Sequence, residues 1–424
     1  MINVVCGIRS TGRICTDLAV ELEKQGHEVK IAYGRNHVPD QFQKYALRIG
    51  SDLDVVMHAA KTFLQDGAGF GSRKATEQFI DWVKEWDPDV IHLHNIHGYY
   101  LNVEVLFDYL RTCGKKIIWT LHDCWTFTGH CAYFDYAGCG KWKTGCEDCG
   151  QKGEYPISFT DGSRRNWLKK RELFTSIPHV RLVTPSKWLA DLVKASYMGE
   201  YPVSVIHNGI DVSVFQPTPS NVKEKYGIGD QKVILGVAAP WSPRKGLNDM
   251  AELARKVKED YCVVVIGATQ KQKADLPDNI TVIPQTNSTA ELAEWYTAAE
   301  VFVNSTLEDN YPTTNLEAIA CGTPVVTYDT GGSPESASYY GRTVAKGDVE
   351  GMLGAFYELS ELQEQPKISP SVFSREAMVD GYMDLLEDAC VFSKSCISRI
   401  AYLPRPFFVR KTGAPTATSC STSL

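Results

Sequence analysis

Short runs of β-branched and aliphatic residues alternate along the chain with stretches whose apolar positions recur every three or four residues. The runs INVVC (2–6), EVKIAY (28–33), DVIHLH (89–94), KIIWTLH (116–122) and VRLVTPS (180–186) read as strands, and a helix is predicted near 11–25. Each run is followed by a helical or loop segment, which predicts βαβ units and a mostly parallel, buried sheet. The pattern then restarts. KVILGV (232–237), YCVVVIG (261–267), NITVIP (279–284), EVFVNS (300–305) and TPVVTY (323–328) alternate with helices predicted near 245–258, 289–298 and 313–320. Between the two series, VIHNGIDVSVFQPTPS (205–220) is rich in Asn, Gly, Pro and Ser and reads as a linker. The prediction is two Rossmann-like, doubly wound α/β domains, over 1–206 and 207–375, facing each other across a cleft.

Composition agrees with this picture and narrows it. At 424 residues the chain is long for one core and suits two domains. Hydrophobic residues make up 43% and charged residues 22%, an ordinary globular balance. The net charge of −7 gives no global attraction to nucleic acid or acidic lipid, so no nucleic-acid partner is expected and any basic surface must be local. MINVVCGI is too short for a signal peptide, and no run approaches a membrane span, so a cytoplasmic protein is expected. The thirteen cysteines are then expected to be reduced thiols. The final stretch, 390–424, breaks the alternation and ends Ser/Thr/Ala/Pro-rich, as an irregular and partly disordered tail does.

Candidate chemistry gathers in EDNYPTTNLEA (308–318). The strand before it ends in a loop, and Pro312 suits the first turn of the next helix, where a missing N–H costs nothing. Thr313 and Thr314 would sit beside exposed backbone donors at the positive end of that helix, a natural place for phosphate. Glu317, one turn along, could accept hydrogen bonds from vicinal hydroxyls such as those of a ribose. Glu308 and Asp309 could hold the hydroxyls of a sugar, with Asn310 and Tyr311 in the same loop. The plainer alternative is that these acids only complement the helix dipole.

The longer stretch EDNYPTTNLEAIACGTPVVTYDTGG resembles the donor-site motif of the family 4 retaining glycosyltransferases, which have the GT-B fold. The family pattern is an acid, seven residues, then Glu. Glu317 is the second acid, and counting back eight places gives Asp309, with Glu308 immediately before it. Register favours Asp309, and Glu308 is the alternative. The resemblance implies a nucleotide-diphosphate sugar donor bound by the second domain and a glycan acceptor, of the lipid-linked kind, bound by the first. It also implies that a helix near 376–389 crosses back to the first domain, and that catalysis requires no metal.

Other segments fit the same reading. Arg244 and Lys245 in PRKG (243–246) resemble the family's basic donor-phosphate element, although Pro240 stands where a further Arg is usual. IRSTGR (8–13) offers Gly12 for a tight turn near the ligand. His122, in WTLHDCW (119–125), corresponds by resemblance to the family's active-site histidine. His92, His94 and His97 are read as an acceptor-side wall. The triplets DLD (52–54) and DPD (87–89) are read as turn chemistry and not as metal ligands.

Within a cysteine-rich insertion (124–160), Cys131, Cys139, Cys146 and Cys149 are spaced C-x7-C-x6-C-x2-C. A structural zinc site and four ordinary thiols are both consistent with that spacing. The stretch resembles the colanic-acid-type exopolysaccharide branch of the family, which implies bacterial surface polysaccharide synthesis. The basic segment SRRNWLKKRELF (163–174) suits either a peripheral contact with anionic lipid or a solvated helix face. Two competitors are a GT-B-like sugar-nucleotide epimerase and a non-catalytic, zinc-stapled sugar-nucleotide-binding scaffold.

Overall fold

The computed structural model describes residues 1–361 and 369–388. Thirteen strands among the described residues form two sheets, parallel throughout. The first sheet holds β1 (Ile2–Asn3), β2 (Ile31–Tyr33), β3 (Ala46–Arg48), β4 (Val90–Leu93), β5 (Lys116–Thr120), β6 (Val180–Thr184) and β7 (Val203–Val205). Its order is β3-β2-β1-β4-β5-β6-β7. The second holds β8 (Lys232–Val237), β9 (Tyr261–Ile266), β10 (Ile280–Ile283), β11 (Ala299–Asn304), β12 (Val325–Tyr328) and β13 (Gly341–Val344), in the order β10-β9-β8-β11-β12-β13.

Central strands are apolar on both faces because helices cover both. Val233, Ile234 and Leu235 of β8 are fully buried, as are Val263, Val264 and Val265 of β9 beside them. The alternate faces feed two separate apolar clusters, one holding Val233 and Leu235, the other Ile234, Val263 and Val265. In each sheet the order reverses beside the first strand of the domain, where β1 meets β4 and β8 meets β11. Ligands bind at such reversals, outside the carboxyl ends of the strands.

Each predicted strand corresponds to an observed one, mostly trimmed at its ends. The sequence pattern misses β3, β7 and β13, which are all edge strands of three or four residues. An edge strand buries less, so β3 and β7 carry half-exposed residues and show no apolar run. The triplet DLD does start a helix, Asp52–Gln65. Ser51 and Asp54 form a reciprocal cap there.

Of the last helix, Arg375–Asp388, residues 375–383 pack on the first sheet's side of the molecule. Its Tyr382 hydroxyl lies 3.0 Å from Thr120 Oγ1 at the end of β5, and its Arg375 pairs with Asp17 at 3.0 Å. The predicted tail, 390–424, lies outside the described residues.

Candidate active site

The carboxyl ends of both sheets open onto one cleft of about 820 Å³. From the second domain its wall includes Arg244 and Lys245, which follow β8, and Asp309 to Thr314, which follow β11. The two segments are built as one unit. Leu307 N–H donates to the Arg244 carbonyl at 2.8 Å, Ser305 Oγ donates to the carbonyls of Lys245 and Gly246, and Arg244 Nη1 donates to the Glu308 carbonyl at 2.6 Å. Gly246 makes that packing feasible. Its φ is +74°, and a Cβ there would lie 2.0 Å from the Ser305 carbonyl oxygen.

The two candidate acids part company. Asp309 lines the cleft and forms an ion pair with Lys245. Burial works to raise its pKa, but Lys245, Arg244 and the Asn310 N–H outweigh that and hold it below the usual carboxylate range. Glu308, by contrast, is not part of the cleft wall. Its Oε1 accepts from the backbone N–H of Asp135 at 2.8 Å, in the first domain, and burial pushes its pKa up. The expectation that Glu308 could serve the sugar is therefore corrected. It ties the two domains together, because the loop turns successive side chains in opposite directions.

Thr313 starts the helix Thr313–Ala320, and Pro312 is its N-cap in extended backbone, one place earlier than the first-turn position expected. Pro312, Thr313 and Thr314 line the cleft, so the first-turn N–H groups of Thr313 and Thr314 open towards it, while the Asn315 N–H donates to the Pro312 carbonyl at 3.3 Å. Glu317 stands one turn deeper and outside the cleft wall. It accepts from the Tyr296 hydroxyl at 3.0 Å, and burial raises its pKa to about 6 against the pull of Tyr296, Arg13 and Thr313. Asn310 and Tyr311 are largely occupied. Asn310 donates to the His122 carbonyl at 3.0 Å and accepts from Ser186 Oγ at 2.6 Å, while Tyr311 stacks on His207 with ring centres 4.6 Å apart.

The first domain supplies the opposite wall. His122 lines the cleft with its ring against His94, Nε2 to Nδ1 at 3.0 Å. Burial lowers its pKa to about 4, with Asp123 pulling the other way, so the ring is neutral at neutral pH. Asp123 accepts from His97 at 2.9 Å and from the Trp125 N–H at 3.0 Å. His97 in turn meets the Tyr155 hydroxyl at 3.1 Å. Of the expected histidine wall, His97 reaches the cleft. His92 and His94 lie behind it, ring centres 4.1 Å apart.

Gly12 does not touch the cleft. It sits in the helix Arg9–Lys24, and a Cβ there would come within 3.0 Å of Val5, so its role is to let the helix close onto the strand end. That approach brings Arg9, Ser10 and Thr11 into the cleft wall. Arg9 holds a left-handed φ of 56°, a conformation that costs a non-glycine residue on the order of 1 kcal/mol. Arg9 and Arg35 are cleft cations that pattern reasoning passed over. Arg9 stood inside the quoted IRSTGR, and its neighbouring glycines were the only signal.

The cysteine-rich insertion packs as turns around Phe127, Phe134 and Trp142, the last ring 5.2 and 5.0 Å from the other two. Cys131, Cys139, Cys146 and Cys149 line one pocket of about 440 Å³ and are free thiols. Burial raises the Cys146 thiol to about 11, although its sulfur accepts the Gly129 N–H at 3.1 Å. Among the described residues, no three His, Cys, Asp or Glu side chains stand together in a geometry that could hold a metal ion. No helix among the described residues is long and apolar enough to cross a membrane.

Residues 11–214 match the family model described as Glycosyltransferase Family 4, and residues 220–367 match Glycosyl transferases group 1. A relative in Escherichia coli K12, named as the colanic acid biosynthesis glycosyl transferase WcaC, is 27% identical over 300 residues, covering 68% of this chain and 69% of that one. Sucrose-phosphate synthase from Thermosynechococcus elongatus superposes with a TM-score of 0.66 at 15% identity, over 92% of this chain and 98% of that one. Anabaena Alr3699/HepE, solved in complex with UDP-glucose, superposes with a TM-score of 0.60 at 13% identity, over 91% and 98%. These two likenesses speak to the shared fold. Sequence match over both halves, together with that fold, shows that the chain belongs to the family 4 glycosyltransferases and adopts the GT-B architecture.

Proposed function

We propose that this glycosyltransferase moves a sugar, with retention of anomeric configuration, from a nucleoside diphosphate to a lipid-linked glycan during synthesis of a bacterial surface polysaccharide. One observation carries the reading. Arg244, Lys245, Asp309 and the open N-terminus of helix Thr313–Ala320 converge on a single cleft. A diphosphate there would meet two cations and the N–H groups of Thr313 and Thr314, which stabilise the charge that develops as the nucleotide departs. That is the service a divalent metal performs elsewhere, so the reaction is proposed to run without one. The polysaccharide setting is supported by the WcaC relative, and the donor class by the neighbour solved with UDP-glucose.

Retention is supported by the family match, and what the cleft's carboxylates already do bears on its route. Asp309 is engaged by Lys245, and Asp123 by His97 and the Trp125 N–H, which leaves neither poised as a covalent nucleophile. In the proposed step the acceptor hydroxyl attacks the sugar carbon from the face the diphosphate leaves. The carbon–oxygen bond to phosphate breaks with its electron pair, and the hydroxyl proton passes to the departing phosphate oxygen. Neutral His122 helps wall this exchange from water.

A thermal-shift titration against UDP, GDP, ADP and CMP, with and without EDTA, tests the donor site. Stabilisation by one nucleoside diphosphate that EDTA leaves unchanged is the expected result, and stabilisation by none overturns it. Proton NMR of slow donor hydrolysis reads the anomer first released, and an inverted sugar would sink retention. The reading also includes a structural zinc ion on Cys131, Cys139, Cys146 and Cys149. Their shared pocket and the N–H···S bond to Cys146 support it, although the ion would have to draw the thiols together. Elemental analysis of the purified protein decides this, and zinc well below one ion per chain removes it.

A further inference from the structure

The helix Asp52–Gln65 is built inside out. Its buried residues include the polar His58 and Thr62, while Leu53, Val56, Met57, Phe63 and Leu64 stand in solvent. The exposures are large: 69% for Leu53, 62% for Val56 and 64% for Met57. With Ala60 these positions recur at three- and four-residue spacing, so they form one continuous apolar stripe along the outer face. The inward polar residues are properly satisfied. His58 bonds Ser72 at 3.0 Å and accepts the Gly71 N–H at 3.0 Å, which holds the helix in this orientation.

The stripe does not end with the helix. Phe159 N–H donates to the Phe63 carbonyl at 2.7 Å and Thr160 Oγ1 to the Leu64 carbonyl at 3.0 Å, which binds the loop 157–160 against the helix end. Phe159 is 74% exposed, Ile157 is exposed too, and the Phe63 and Phe159 rings lie 6.5 Å apart. An apolar patch of this extent is unusual on a monomer and marks an interaction surface.

Charge indicates the occupant. At the rim, Lys61 donates to the Phe70 carbonyl at 2.6 Å and Arg165 to the carbonyls of Gln65 and Asp66 at 2.6 and 3.2 Å. Both cations are therefore hydrogen-bonded to neutral carbonyl oxygens. On the adjoining helix, Ser163–Phe174, Arg171 is exposed, while Arg164 pairs with Glu147 at 2.9 Å and Lys169 with Glu104 at 2.7 Å. This basic rim stands on a chain whose net charge is −7, against the global sign. Outward apolar side chains flanked by Lys61, Arg165 and Arg171 match an anionic bilayer, with the apolar groups entering the acyl boundary and the cations meeting headgroups.

We infer that the stripe formed by Leu53, Val56, Met57, Phe63, Leu64 and Phe159 docks the protein on an anionic lipid surface. The face also leads to the cleft. Tyr155 lines the cleft, bonds His97, and is followed directly by the exposed Ile157–Phe159 segment. A lipid-held acceptor would thus arrive at the cleft mouth, a part of the inference that rests on the proposed function.

Flotation of the full chain with vesicles tests the docking. Vesicles of phosphatidylethanolamine with about a third phosphatidylglycerol should carry the protein up at least tenfold more than pure phosphatidylcholine. The double substitution V56E/F159S should abolish that preference, and R171E should weaken it several-fold, each with an unchanged melting temperature and nucleotide-induced shift. Equal flotation by all variants, or none by the native chain, overturns the inference. A native dimer that V56E/F159S dissociates overturns it too, assigning the stripe to a second copy. Because the nucleotide shift is read separately, loss of docking and failure of the donor site are distinguishable.

Discussion

At the scale of single residues, Asp309 and an incoming diphosphate compete for one ammonium group. Lys245 already neutralises the carboxylate, so Asp309→Asn should release it and tighten nucleoside diphosphate binding by about fivefold, on the order of 1 kcal/mol. If the carboxylate holds the donor sugar, as the proposed function has it, turnover should nevertheless fall at least a hundredfold. Calorimetry and donor turnover check the two halves, and weaker nucleotide binding would mean the pair exists to aim Lys245. Glu317 carries a pH signature. Its folded pKa is raised to about 6, so its contribution to stability is complete below the ordinary carboxylate range and is lost as pH rises through about 6. Measured by urea unfolding between pH 4 and pH 7, the native chain should lose about 2 kcal/mol relative to Glu317→Gln. Spacing pointed to both Asp309 and Glu317, since an eight-residue interval is a property of the string. It could not say that Glu308 turns to the Asp135 N–H, because that direction is set by loop backbone closed against another domain.

Among elements, the most exacting is the turn after β8. Gly246 holds a left-handed φ against the Ser305 carbonyl, so Gly246→Ala should cost about 3 kcal/mol and lower donor affinity together with melting temperature. An alanine variant with native stability would show that the turn can move away from the 305–308 loop. The helix Asp52–Gln65 shows where pattern reading fails for a physical reason. Its start was legible as turn chemistry, yet the periodicity rule assigns an apolar stripe to the core, and here the stripe faces out. The three missed strands share another cause. Edge strands bury one side poorly, and the apolar run that betrays β8 or β9 is not required of β3, β7 or β13.

Across the whole molecule, the two domains are held face to face by a few polar clasps. Asn310 reaches the His122 carbonyl, Lys346 pairs with Asp135 at 2.8 Å, and Glu335 accepts the N–H groups of Lys187 and Trp188, both at 2.9 Å, capping a helix of the other domain. Contacts this few and this polar are the kind that a domain opening could break and reform. Glu335→Ala should shift the population towards open forms, visible as a larger radius of gyration in solution scattering, and reduce kcat/KM about tenfold. No change in either would mean the clasp is incidental. The two-domain architecture was legible because it is written twice, as two series of buried strands. The clasps were not, since they join residues more than a hundred positions apart.

Where the chain passes between the domains it does so twice, and the two passages run side by side. Ile210 N–H donates to the Phe373 carbonyl at 3.1 Å, Arg375 N–H returns to the Ile210 carbonyl at 2.7 Å, and Arg375 pairs with Asp211 at 3.0 Å. Gly209 permits the contact, as a Cβ there would lie 2.3 Å from the Ser374 carbonyl oxygen. One flexible strand would let a domain tumble about every axis. Two strands laced together behave as the paired leaves of a hinge and leave a single easy rotation. For domains that close, the search for the closed geometry would then be one-dimensional, and each closure would return the walls of the cleft to the same register.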